Sequence, residues 1–512
     1  MPAKRSLTLA LALLLVAAIP ARATGFPAIT MVDTILPGVN GASPLWSSGR
    51  LGDWLYFAAY TDASGAELWR TSGTTTELVE EIQPGPNGSD PGSFAALGDW
   101  LYFAADDGTN GRVLWRTNGV ETALVRNIAI ELVGVNASDP AELTALGGWL
   151  YFRASDGAGG HGVELWRTNG TDTQMVRDIQ LGTGDSFPTG FTALGGYLYF
   201  AANDGAHGNE LWRTNGITTE MVKNIADEPA EPDSSDPSYF TALGNYLYFS
   251  ADDVSGGHGR ELWRTDGTAA NTQMVKDINT GGDSYPLGMT AFHGAIYFQA
   301  YTVTNGTELW RTNGTLAGTV QVNDINQLLQ PVGRPGASSS PNSFTAFGGY
   351  LYFSADDGTH GAELWRTDGV AAHTTMVQNI NVANGGADGS APYAFTAMGD
   401  YLYFVANDAT SVGQFWRVNN DGVTETTALP GTNGFVGCMC AEPLIPLGSR
   451  LFMTTYTDET GMEFAYLDEP NWVMPSTDRD GSSWSTAFVL LAALTAVVGA
   501  GLRVRACEAR RA

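Results

Sequence analysis

The sequence predicts an all-β fold: a single large β-propeller of about nine four-stranded blades. Three observations predict it. A Leu-Trp-Arg or Phe-Trp-Arg triplet recurs eight times, with its tryptophan at Trp69, Trp115, Trp166, Trp212, Trp263, Trp310, Trp365 and Trp416. These spacings of 46 to 55 residues match the period of one blade-sized unit. Each unit also holds four short runs rich in aromatic and β-branched residues, separated by Gly-Gly, Asp-Gly or Asn-Gly turns. Finally, the second run recurs nine times, through Phe57, Phe103, Phe152, Phe200, Phe249, Phe298, Phe353, Phe404 and Phe452. An eight-bladed ring with an irregular cap is the alternative count.

The unit from Phe191 to Ile225 shows the elements in order. Phe-Thr-Ala-Leu is a first strand, and Tyr-Leu-Tyr-Phe-Ala-Ala after a Gly-Gly turn is a second. Asn-Glu-Leu-Trp-Arg-Thr follows an Asn-Asp-Gly turn as the third, and Thr-Glu-Met-Val-Lys-Asn-Ile follows an Asn-Gly turn as the fourth. In the third strand, alternation puts glutamate and tryptophan on one face and leucine and arginine on the other. The repeated arginines are expected to pair with acids or carbonyls between blades. The fourth strand is out of phase with the rest. A copy at Met31-Val32 precedes the first blade and none follows Phe464, so an N-terminal strand is expected to complete the last blade and close the ring. Closure removes the exposed sheet edges that favour association.

The propeller is expected over residues 27–470, and the two ends read differently. Lys4 and Arg5, an apolar run from Leu7 to Ile19 and a small-residue site ending at Ala23 predict a signal peptide over 1–23. After a juxtamembrane linker at 471–484, residues 485–502 are uncharged and about long enough for one transmembrane helix. The tail at 503–512 carries Arg503, Arg505, Arg510 and Arg511, which predicts a cytoplasmic end and a propeller outside. In a bacterium the same layout also fits a surface-sorting signal.

The formal charge is −28, from 26 basic and 54 acidic residues. A polyanion gains nothing from such a surface, so nucleic acid is excluded as the expected partner. Three cysteines are too few for a disulfide framework. Cys438 and Cys440 are the exterior pair that an oxidising compartment could join, and Cys507 would lie just inside the membrane. In a eukaryotic host, Asn87, Asn136, Asn169, Asn305 and Asn313 are N-glycosylation acceptors.

Two resemblances bear on this reading. The repeated Glu-Leu-Trp-Arg-Thr-Asp-Gly-Thr strings, clearest at Glu261 to Thr268, resemble the ELWxxDGT repeat proteins over about residues 30 to 470. That resemblance implies a secreted or surface propeller and no particular activity. Ala105, Asp107, Gly111 and Trp115 are similar to the tryptophan-docking motif of quinoprotein alcohol dehydrogenases and their non-catalytic relatives. Ala202, Asp204, Gly208 and Trp212 repeat the pattern, as do Ala355, Asp357, Gly361 and Trp365. This second resemblance implies locked blades and no cofactor, since the dehydrogenases' adjacent cysteine pair is replaced by Cys438-Met439-Cys440.

Eight hairpins between second and third strands carry an acid: Asp62, Asp107, Asp156, Asp204, Asp253, Asp357, Asp408 and Asp458. Such aspartates cap their own turns, or supply hard oxygens to calcium, with Asp107, Asp204, Asp253 and Asp357 the candidate ligands. Calcium needs six to eight oxygens, and one or two carboxylates per loop do not display them. His161, His207, His258 and His360 all precede a repeat tryptophan by five residues on different blades, so a local turn hydrogen bond is expected rather than a shared metal. No catalytic residue stands out: the sequence has no nucleophile elbow and no phosphate loop.

The resulting expectation is a type I, single-pass surface protein, binding extracellular carbohydrate or protein with calcium as the candidate cofactor. Recognition is expected on one face of the disc, at long connections such as Pro84 to Ser93, Asp227 to Ser238 and Gln330 to Ser343. An extracellular propeller enzyme or a surface-coat protein is the alternative.

Overall fold

The computed structural model describes residues 29–32, 35, 47–129, 137–157, 160–227, 233–328, 336–409, 413–419, 424–427, 444–457 and 461–468. The expected signal peptide, linker, membrane helix and tail lie outside them, as do Asn136, Asp458, Cys438 and Cys440. Among the described residues no helix is long and apolar enough to cross a membrane.

Among the described residues, thirty-six strands form nine antiparallel four-stranded sheets, which decides the count between eight and nine. Eight blades are consecutive in the chain. The ninth is composite, with Ile445–Leu447, Arg450–Thr457 and Gly461–Asp468 joined by Ile29–Met31 as its outermost strand. Ile29 pairs with Leu467, Thr30 with Tyr466 and Met31 with Ala465. Val32 N–H then donates to the Phe464 carbonyl at 2.9 Å. First strands of successive blades touch each other, so they line the axis and fourth strands lie at the rim.

The second strand is enclosed on both sides, which is why its five central residues are all buried in most blades and apolar apart from Ser250 and Ser354 in the strands cited. In blade 1, Leu55, Phe57 and Ala59 pack against blade 9, while Tyr56 packs with Leu68 against Leu101 and Phe103 of blade 2. The same alternation holds round the ring and builds nine apolar clusters at blade interfaces. The closing interface is no weaker in kind: Phe57 meets Phe464 edge to face at 4.5 Å.

The last blade departs from the sequence reading by one register. Leu447 pairs with Arg450 as Leu51 pairs with Trp54, so Phe452 occupies the tyrosine position of the repeat and Met453 the phenylalanine position. Counting phenylalanines alone had placed Phe452 one residue off.

The repeated arginines do more than pair between blades. In every blade with the triplet except blade 6, the guanidinium stacks on the ring that opens the second strand of its own blade: Arg70 on Trp54, Arg116 on Trp100 and Arg167 on Trp149, each at 4.2 Å, and Arg213 on Tyr197 at 4.5 Å. Arg70 and Arg213 also hold Glu77 and Glu220 of the neighbouring strand, and Arg116 donates to the Gly170 carbonyl of the next blade. In blade 9 the pair is transposed, with Arg450 at the ring position stacked on Tyr466 at the arginine position. Arg450 also donates to the Ser72 carbonyl of blade 1 at 2.7 Å, which ties the ends of the ring. The glycine of the third hairpin is needed here: Gly119 has φ +84°, and a Cβ would strike the Arg70 guanidinium and the Tyr56 hydroxyl of the preceding blade.

The tryptophans are clamped from the blade before. Arg177 lies over Trp212, Lys223 over Trp263 and Lys276 over Trp310, and each cation also donates to a threonine carbonyl of that next blade. All eight repeated indole N–H groups lack a protein acceptor, so packing, aided by a cation at Trp212, Trp263 and Trp310, carries this lock rather than an indole hydrogen bond.

Candidate functional site

The strand order sorts the loops into two faces. First-to-second and third-to-fourth hairpins emerge on one face, where short glycine turns repeat with little change. Second-to-third hairpins and the connections between blades emerge on the other, so the long connections and the repeated aspartates share a face.

The aspartates cap their own turns. Asp204 Oδ1 accepts from the backbone N–H of Ala206 and His207 at 2.9 and 2.8 Å, and Oδ2 accepts from His207 Nδ1 at 2.8 Å. Asp357 repeats this arrangement with Thr359 and His360, and Asp107 with Thr109 and Asn110. Burial opposes ionisation of Asp204, but these donors outweigh it and hold the carboxyl below its usual range. Asp253 accepts from the backbone and ring of His258, and Asp156 from those of His161. Those hydrogen bonds hold both imidazoles above the usual histidine range. Among the described residues no three acidic, histidine or cysteine side chains converge as a metal site. The four candidate calcium aspartates sit on four different blades.

Beneath this face lies a second repeated device. The glutamate of the third strand is fully buried in blades 1, 3, 4, 5, 6 and 7, at Glu67, Glu164, Glu210, Glu261, Glu308 and Glu363. Each is clasped by its own outgoing connection. Glu261 Oε2 accepts from Ile278 N–H at 2.9 Å and Ser284 Oγ at 2.6 Å, and Oε1 accepts from Asn279 N–H at 3.1 Å. The serine begins a Ser-x-Pro step whose middle residue, such as Asp90, Tyr285 or Ala391, has φ near +45°. Burial pushes Glu164, Glu261 and Glu308 up to about 7, with the neighbouring Asp178, Asp277 and Asp324 adding to the rise. Blade 2 has Val113 in that position, and its Ser138 hydroxyl has no partner.

Against this regular background blade 6 stands apart. A cleft of about 390 Å³ opens there, lined by Asn279, Asp283 and Tyr285 of the incoming connection and by Gln299, Tyr301 and Thr307 of the blade itself. Gln299 replaces a small or aliphatic residue. The same register holds Ala58, Ala104, Ala201, Ser250, Ser354 and Val405, all buried, with Arg153 the other departure. Tyr301 stands where Asp106, Asn203, Asp252 and Asp356 stand in other blades, and shares its register with Tyr60 of blade 1. The Gln299 amide and the Tyr301 and Thr307 hydroxyls make no hydrogen bond within the protein, whereas the Asn279 amide donates to Asp283 O and accepts from Val303 N–H. Asp283 accepts from Arg260 N–H at 2.7 Å, and its hydrogen bond with the Tyr285 phenol raises that phenol above its usual range.

The sequence reading did not find this cleft. Its signal was the string Ala295-Ile-Tyr-Phe-Gln-Ala-Tyr-Thr302, which breaks the repeat at Ala295, Gln299 and Tyr301. Of the sequons, Asn87, Asn169 and Asn313 are exposed, and Asn305 donates its amide to Gln321 at 2.8 Å.

No protein-family model matches the chain. No curated protein matches it either. Solved structures do, at low identity. The computationally designed Ika8 protein is 14% identical, with a TM-score of 0.39 over 77% of this chain and 98% of its own. A structure of two prolyl endopeptidases is 14% identical, with a TM-score of 0.38 over 83% of this chain and 54% of its own. The GH74 xyloglucanase from Xanthomonas campestris is 14% identical, with a TM-score of 0.32 over 81% of this chain and 76% of its own. The chain thus spans about half the length of the prolyl endopeptidase.

Proposed function

We propose that this chain is a surface-anchored binding propeller of the ELWxxDGT repeat type, which recognises extracellular carbohydrate or protein through the face carrying its long connections. One observation carries the reading: departures from the repeat that leave polar groups unused gather in a cleft on that face, in blade 6. Scaffold positions recur from blade to blade, whereas Gln299, Tyr301 and Tyr285 combine in one blade alone among those described. Recognition on loops held by a rigid frame is the common arrangement. The apolar run at 485–502 and its arginine-rich tail support anchorage with the propeller outside, and the acidic charge argues against nucleic acid as partner.

The test has two arms. Full-length chain tagged at its C-terminus is expressed in cells, and its propeller is probed with external protease and antibody; protection of the propeller and exposure of the tag outside would overturn the topology. The full chain is then applied to an array of glycans and surface proteins, with calcium and after chelation. Specific retention of one ligand class is expected, and no retention in either condition would overturn the binding role.

A further inference from the structure

We propose that the blade 6 cleft is a binding site for a neutral saccharide, with Tyr285 and Tyr301 offering ring faces and Gln299 and Thr307 bonding sugar hydroxyls. This deepens the binding-module reading and rests on it. Three lines of argument lead to it.

The first is that the scaffold does not need these side chains. Outside blades 3 and 6, the register of Gln299 holds a compact side chain that is at most 7% exposed. Glutamine there is half-buried and lines the cleft. Pairing of Leu287 with Gln299 and of Thr307 with Tyr301 keeps the sheet intact, so the change is confined to the wall of the cleft.

The second is the inventory of unused hydrogen-bonding groups. A primary amide has two donors and two acceptor lone pairs, and each hydroxyl can donate and accept. None of these in Gln299, Tyr301 or Thr307 is spent inside the protein. All of these polar atoms reach solvent and none is a buried atom left without a partner, so they are available to a ligand. Asp283, the one carboxylate in the wall, accepts from Arg260 N–H at 2.7 Å. Tyr285 is fixed by its backbone, at φ 46° immediately before Pro286.

The third is selection among ligand classes. No cationic side chain lines the cleft, so a phosphate, sulfate or sialic acid would meet only neutral groups and a carboxylate. A neutral sugar offers what the wall matches: C–H faces for the half-exposed Tyr285 ring, and hydroxyls that donate and accept for the amide. A volume of about 390 Å³ lies within the range of small-molecule sites.

The full-length chain is titrated calorimetrically with neutral tetrasaccharides of glucose, mannose and galactose, alongside sialylated and sulfated oligosaccharides. Two variants restore residues that other blades carry at the same register and so preserve the fold: Gln299→Ala and Tyr285→Asp. Affinity for one neutral saccharide is expected to fall at least tenfold in each variant, with the melting temperature unchanged. Preference for the charged oligosaccharides would overturn the proposal. So would glycan binding that neither variant weakens, which would leave the binding-module reading standing with its site elsewhere. If the chain instead binds a protein on the array and no glycan, this proposal falls and the broader one survives; if it binds nothing, both fall.

Discussion

Replacing Glu308 by glutamine reads out the contest that decides the charge of every clasped glutamate. Glu308 is fully buried, and its oxygens accept from Ile325 N–H and Ser339 N–H at 2.9 Å and from Ser339 Oγ at 2.6 Å. Those donors favour the carboxylate. Burial, reinforced by the charge of Asp324, favours the acid and wins, pushing Glu308 from 4.5 up to about 7. The folded chain therefore keeps a proton that the unfolded chain releases between those two values. The stability this glutamate contributes is fully present below pH 4.5 and is lost as pH rises through about 7. At about 1.4 kcal/mol for each tenfold change in proton affinity, the loss is about 3 kcal/mol. Glutamine fits the position, since blade 8 carries the buried Gln414 there, and it is neutral in both states. Chemical denaturation of both proteins between about pH 5 and pH 8 isolates the term, because the chain's general acidity acts equally on the two. The advantage of the parent over Glu308→Gln should shrink with rising pH by up to about 3 kcal/mol. An advantage that stays level or grows would show that the donors, not burial, set the charge.

Four further outcomes follow from the repeat. Val113→Glu should give the unpartnered Ser138 hydroxyl its acceptor and raise stability by about 1 kcal/mol; an equal gain in a Ser138→Ala background would refute the contact. Ala295→Tyr should give Arg311 the ring its counterparts have and add about 0.5 to 1 kcal/mol in thermal unfolding; a loss would mean the space is filled otherwise. Phe464→Ala should cost about 3 to 5 kcal/mol and open the closing interface first, seen as early proteolysis at the N-terminal strand; uniform proteolysis would count against ring closure as the weak seam. Chelation should leave the melting temperature unchanged, because Asp107, Asp204 and Asp357 already spend their oxygens on turn donors; a rise of several degrees in millimolar calcium would restore the metal reading.

Most of the architecture was legible because the same contact is made in blade after blade. Tryptophan spacing gave the period, the phase of the fourth strand gave the ring closure, and the histidines were expected to make a local turn hydrogen bond, whose partner, the hairpin aspartate, the structure supplies. Other features escaped for identifiable physical reasons. The glutamate clasp joins a strand to a serine 22 to 31 residues later across connections of unequal length, so no fixed spacing betrays it. The transposed Arg450 and Tyr466 keep the same stacking energy with the residues exchanged between strands, and a pattern search by residue type cannot see an exchange that preserves the contact.

Blade 6 shows how departures from a repeat can be told apart. At its uniform-face end, Ala295 stands where Trp54, Trp100 and Trp149 stand, and Arg311 loses both its ring and, with Val320 opposite, the acid that Arg70 finds in Glu77. That change removes contacts and puts nothing in their place, as expected of drift tolerated by a ring with eight other blades. At the opposite end Gln299 and Tyr301 replace compact or locally bonded residues with larger groups whose polar atoms are left unused inside the protein. Those atoms reach solvent, so the half-buried amide beside two tyrosines adds hydrogen-bonding capacity that a ligand can use. What is added, rather than mere difference from the consensus, separates the two ends and points recognition to the second.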